Sequence, residues 1–164
     1  MQRAMNTPPA RFDAREAAKW FFRHGHTGWL GLRFADQGEN WVELELPWRA
    51  DLVGDSMGGV LASGPIISLM DMASGMAIWQ ASRTFNPVAT LDLRVDYQRP
   101  AREGASVKGR VECYRRTRSA AFVRGIAYDE NPDDPVAHVA GVFMTIGADP
   151  RKENPALAGA SGDV

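Results

Sequence analysis

The chain has 164 residues, 45% of them hydrophobic and 24% charged, and its 19 basic and 20 acidic side chains leave a net charge of -1. This is the length of one domain with an ordinary globular composition, and the charge balance excludes a general electrostatic pull on nucleic acid or membrane. A single cysteine, Cys113, excludes an intrachain disulfide. No apolar run reaches membrane-spanning length, and the opening MQRAMNTPPARFDARE has no apolar signal core. A cytoplasmic enzyme or binding protein is the expected class.

In chain order, residues 1–12 are a polar, flexible start. Asp13 caps a predicted helix through AREAAKWFFRH, with Gly25 as its stop. An extended segment is predicted from Trp29 (WLGLRFADQ). A second, NWVELELPW, alternates Val42, Leu44 and Leu46 with Glu43 and Glu45, the period of a half-buried strand. Gly38 to Asn40 between them is a hairpin signal. The glycine-rich RADLVGDSMGGVLASG then leads into a long apolar helix. Pro65 suits its first position, with Gly64 as cap, and the helix is predicted to run to about Arg83. Four strand-like segments follow, Val88 to Gln98, Gly104 to Arg116, Ser119 to Glu130 and Pro135 to Gly147, joined by short turn sequences that favour antiparallel pairing. Residues 13–148 form one domain, and residues 149–164 a flexible tail of low hydrophobicity. With only the long helix interrupting the strands, the predicted fold class is α+β: an antiparallel sheet wrapped around one central helix.

That helix carries one carboxylate, Asp71. Ser68, Asp71, Ser74, Gly75 and Ser82 share a face, and the small Ser74 and Gly75 are read as opening the wall beside it. An unpartnered buried carboxylate is costly. Either Asp71 pairs with an arginine such as Arg94 or Arg124, or its stripe faces solvent, or it lines a cleft and does chemistry; the pattern leaves these open. In Val88 to Gln98, Leu91, Leu93, Val95 and Tyr97 fall on one face and Thr90, Asp92, Arg94 and Asp96 on the other. His24 and His26, in a predicted turn, lack the neighbours a metal site needs. His138 and Cys113 read as structural.

GGVLASGPIISLMDMASGMA (Gly58 to Ala77), ATLDLRVDYQRPAREG (Ala89 to Gly104) and PVAHVAGVFMTIG occur in an order that resembles the hotdog-fold thioesterases, specifically the PaaI-like acyl-CoA thioesterases, over roughly Gly28 to Ile146. The resemblance implies that Asp71 is the catalytic carboxylate, as general base on water or direct nucleophile at the thioester carbonyl. It implies an oxyanion hole in the backbone N–H groups around Ser63 and Gly64, where a helix N-terminus favours a developing negative oxygen. The family's His-Gly-Gly falls on Ala62, Ser63 and Gly64, so its histidine is absent. Thr90 matches a hydroxyl that reaches the neighbouring subunit's site and helps hold water, and Ser56 matches a polar loop position. Arg99 and Arg102 in one turn, and Arg115, Arg116 and Arg118 in another, are the basic groups available for coenzyme A phosphates.

Ser56, Ala62, Ser74, Gly75, Arg99, Arg102, Arg116 and Arg118 are therefore the expected substrate-binding set. The expected partners are an acyl-CoA and further copies of the chain, as a homodimer or homotetramer with sites at the subunit interface. No metal or cofactor is expected beyond coenzyme A as part of the substrate. Two other functions stay open: a non-catalytic acyl-thioester binder, kept open by the missing histidine, and an enoyl- or hydroxyacyl-thioester hydratase, which needs a histidine beside the carboxylate.

Overall fold

The computed structural model describes residues 11–54 and 58–146. The expectations for residues 1–10 and for the tail at 149–164 lie outside the described residues.

Helix α1 (Ala14–Phe21) begins as predicted, with the Asp13 side chain accepting the Glu16 N–H at 3.1 Å. Its end differs. It stops at Phe21, and a second helix, α2 (Gly25–Leu30), occupies the predicted start of the first strand. Two local features account for this. The Thr27 hydroxyl donates to the Phe21 carbonyl at 2.8 Å, closing α1, and Gly31 takes φ 72°, closing α2 in the left-handed conformation that glycine adopts without strain. Strand β1 (Arg33–Gln37) then pairs with β2 (Trp41–Leu46) through the predicted hairpin. Val42, Leu44 and Leu46 face inward and are fully buried, as their alternation requires.

The central helix α3 (Ser63–Ser82) starts earlier than predicted, with Ala62 as its N-cap. Pro65 sits inside the first turn, where its missing N–H removes no helical hydrogen bond. Arg83 ends the helix at φ 58°. Strands β3 (Val88–Tyr97), β4 (Val107–Arg116), β5 (Ala120–Tyr128) and β6 (Ala137–Thr145) follow. The six strands form one antiparallel sheet in the order β1-β2-β4-β5-β6-β3, so β3 lies on an edge. One sheet around one long helix is the hotdog fold.

Helix α3 packs hard against the inner face of the sheet. Leu69, Met70, Ala73, Met76 and Ala77 are all fully buried. The approach is closest at Gly109 of β4, where a Cβ would stand 2.6 Å from Met70 Sδ. Trp79 belongs to the core: it stacks on Phe21 at 5.4 Å and packs with Phe12 and Phe85. Gln80, also buried, is satisfied at both ends, accepting from the Ala14 N–H and donating to the Gly38 carbonyl.

Strand β3 departs from the predicted alternation. Thr90 pairs with Phe143 and Asp92 with Val142, so Leu91 is the extra residue of a β-bulge. The bulge shifts the pattern by one. Thr90 opposes the buried Phe143 and points inward with Leu93, Val95 and Tyr97, while Leu91 is turned out, 60% exposed.

Candidate active site

Most of α3 is buried. Its N-terminal half keeps an open stripe, formed by Ser63, Gly64 and Ile67, which are exposed, and Ser68, Asp71 and Met72, which are half-buried. The predicted opening at Ser74 and Gly75 is filled. Ser74 is buried, its hydroxyl turned back to the Met70 carbonyl at 2.7 Å, and Gly75 is buried beside it.

Among the described residues, no arginine pairs with Asp71. Arg94 is bound to Asp96 at 2.9 Å, and Arg124 to Glu112. Among the described residues the hydrogen-bond partner of Asp71 is Thr90, whose hydroxyl donates to Oδ1 at 2.7 Å. Thr90 thus meets the carboxylate of its own chain, where the resemblance implied a neighbouring subunit's site. The bulge makes this contact possible, because a regular strand would have pointed Thr90 away from α3.

Two turns before Asp71, the start of α3 carries no side-chain cap from the described residues. Ser63 and Gly64 are exposed there, and Pro65 has no N–H. Their two backbone N–H groups are therefore the donors this helix end offers to an oxyanion. Ala62 holds the place of the family histidine; its N–H donates to the Leu52 carbonyl at 2.9 Å, strapping the incoming loop down. Ser56 lies outside the described residues.

Tyr97 and His26 reach this stripe from other elements, and with Ser68 they are site neighbours that sequence reasoning left out. Tyr97 donates its hydroxyl to the Ser63 carbonyl at 3.1 Å, and partial burial pushes that phenol above its ordinary range. His26 Nε2 lies 3.0 Å from the Ser68 hydroxyl, one turn ahead of Asp71. The His26 ring stacks on Trp29 with centroids 5.9 Å apart, and Arg49 covers Trp29 in turn. Ser68 had a signal, its three-residue spacing from Asp71. His26 had none, because α2 meets α3 only in three dimensions.

The predicted phosphate-binding arginines divide into two groups. Arg99 makes a two-pronged ion pair with Asp129, Nη2–Oδ1 2.7 Å and Nη1–Oδ2 2.8 Å, and its Nε lies 3.0 Å from Asp134. Arg102 is paired with Glu130. This cluster ties the β3–β4 link to the β5–β6 link. Arg116 and Arg118 instead line a cavity of about 310 Å³ at the far end of α3, with Ser82, Thr84 and Asn86. From Asp71 to Ser82 the helix rises roughly 16 Å, so this cavity is separate from the carboxylate. No group of side chains able to hold a metal ion occurs among the described residues, and none of their helices is long and apolar enough to cross a membrane.

Comparison with known proteins agrees with this architecture. Residues 58–136 match the thioesterase superfamily model. A Pseudomonas aeruginosa protein of known structure is 37% identical, with TM-score 0.71 over 81% of this chain and 96% of that one. The phenylacetic acid degradation protein PaaI of Thermus thermophilus, solved as a mutant, is 28% identical, with TM-score 0.60 over 73% of this chain and 96% of its own. A Halobacterium salinarum protein provisionally named an esterase is 34% identical over 98 residues, 56% of this chain, and the match spans 65% of that relative's length. The chain belongs to the thioesterase superfamily, as a hotdog-fold protein of the PaaI-like type.

Proposed function

We propose that the chain is an acyl-CoA thioesterase, hydrolysing an acyl-CoA to the free acid and coenzyme A. The observation that carries this reading is the carboxylate of Asp71, held at Oδ1 by Thr90 on an open stripe of α3, two turns from an uncapped helix N-terminus. The thioester carbonyl oxygen sits at the Ser63 and Gly64 N–H groups, where negative charge is stabilised as it develops. Asp71 acts as general base or direct nucleophile. In the first case it takes a proton from water as the water oxygen bonds to the carbonyl carbon; the C–S bond then breaks, and the proton is returned to the coenzyme A sulfur. Of the four expected arginines, Arg116 and Arg118 line a cavity and are the ones assigned to the phosphates of coenzyme A.

A second copy of the chain is the expected partner, docked on β3. This ten-residue strand ends the sheet, and Leu91 on it is exposed. An edge of this length invites pairing unless it is covered. Antiparallel self-pairing centred on Leu93 sets Asp92 against Arg94, a complementary arrangement.

The test is release of coenzyme A from benzoyl-, phenylacetyl-, butyryl- and octanoyl-CoA by wild type and Asp71→Asn, with oligomer size measured for both. Asn keeps the shape and removes the charge, and the expected loss is about 100-fold or more. If neither protein turns over any thioester but both bind acyl-CoA, the chain is a non-catalytic binder, the reading that Ala62 in place of the family histidine favours.

A further inference from the structure

We infer that Tyr97 is a positioning residue for the oxyanion site, its hydroxyl bracing the Ser63 carbonyl and so aiming the Gly64 N–H. The inference rests on the thioesterase reading above. The Ser63 carbonyl and the Gly64 N–H belong to one planar trans peptide and point in opposite directions, so fixing one end fixes the other. That peptide needs a brace. Among the described residues no side chain caps the start of α3, Gly64 has no Cβ to pack, and Pro65 offers no N–H. First helical turns held only by their own ladder fray readily.

The brace comes from the same strand that holds the carboxylate. Thr90 and Tyr97 are an odd number of residues apart, so a regular strand would send them to opposite faces of the sheet. The bulge at Leu91 cancels that difference and brings both hydroxyls to α3, one on Asp71 Oδ1 and one on the Ser63 carbonyl. β3 therefore sets both ends of the reacting geometry at once: the carboxylate and the oxyanion donor. A residue contributing only edge-strand packing has no need of the hydroxyl.

The discriminating experiment compares wild type, Tyr97→Phe and Asp71→Asn on the acyl-CoA of the panel that wild type turns over fastest, reading kcat, KM and Tm. Position 97 is 42% exposed, so Phe replaces Tyr without disturbing the core. A misplacement of about 1 Å in a reacting geometry costs on the order of 100-fold. Loss of one brace on a helix end that keeps its backbone ladder is expected to lower kcat about tenfold, with KM within about twofold. Amide exchange at Gly64, followed by NMR, is expected to quicken in Tyr97→Phe. A folded Tyr97→Phe with wild-type kcat, beside an inactive Asp71→Asn, overturns this inference and leaves the thioesterase reading intact. An Asp71→Asn protein with the wild-type rate overturns both.

Discussion

Asp129 offers the sharpest test of how the site is held. Its buried carboxylate accepts four hydrogen bonds: two from the Arg99 guanidinium at 2.7 and 2.8 Å, one from the Arg102 N–H at 2.9 Å, and one from the Glu130 N–H at 2.8 Å. Arg99 follows Tyr97 by two residues, so this clamp anchors the end of β3. Asp129→Ala leaves the guanidinium without its main partner. Breaking one side of a buried pair costs about 3–5 kcal/mol. Arg99 keeps 22% of its side chain exposed and retains the Asp134 carbonyl at 2.6 Å, which puts the expected cost at the lower end, about 3 kcal/mol. For a chain of this size that is a fall in Tm of roughly 6–12 °C.

The pH dependence follows from the same contacts. The Arg99 guanidinium, helped by the backbone N–H groups of Arg102 and Glu130, holds the Asp129 carboxyl well below the usual carboxylate range. A depressed carboxyl contributes its stability in full above the unfolded-state value of about 3.9 and loses it as the pH falls further. Thermal unfolding of wild type and Asp129→Ala between pH 7 and pH 2.5 is the assay. The Tm gap is expected to be constant from pH 7 to about pH 5 and to narrow below about pH 4. A gap under about 2 °C at pH 7, or one that widens on acidification, refutes the reasoning.

Other expectations follow from single contacts. Thr90→Val keeps the β-branched shape and removes the donor to Asp71 Oδ1; with the carboxylate no longer held, kcat is expected to fall about tenfold, and losing a charge-assisted bond of about 1.5–3 kcal/mol is expected to lower Tm by roughly 3–12 °C, checked by steady-state kinetics and calorimetry. Gly109→Ala places a Cβ 2.6 Å from Met70 Sδ and 3.1 Å from Leu69 Cγ. It is expected to destabilise the fold by about 1–3 kcal/mol in urea unfolding, while activity per folded molecule is retained.

Local patterns in the sequence carried the fold class, because alternation, the apolar helix and the short turns each act over a few residues. Val42, Leu44 and Leu46 were legible as an inward face, and Ile66 to Trp79 as a helix buried on most sides. Asp71 was legible as the one charged group of that helix, and the family resemblance supplied its expected role and that of the Ser63 and Gly64 N–H groups. α2 was not legible: GHTGWL holds two glycines in six residues, and its helix is fixed by Thr27 reaching back to Phe21 and by the turn at Gly31.

What only the tertiary structure decided is where side chains on different elements meet. A bulge of one residue at Leu91 reverses the face of Thr90 relative to Tyr97, and the hydrophobic alternation of β3 gives no sign of it. Arg99 looked like a free cation in a turn until Asp129, 30 residues later, closed on it. His26 comes to Ser68 across 42 residues. Periodicity reports which way a residue points within its own element. It does not report what stands opposite, because that depends on strand order, register and the closeness of helix to sheet, and the whole chain sets these together.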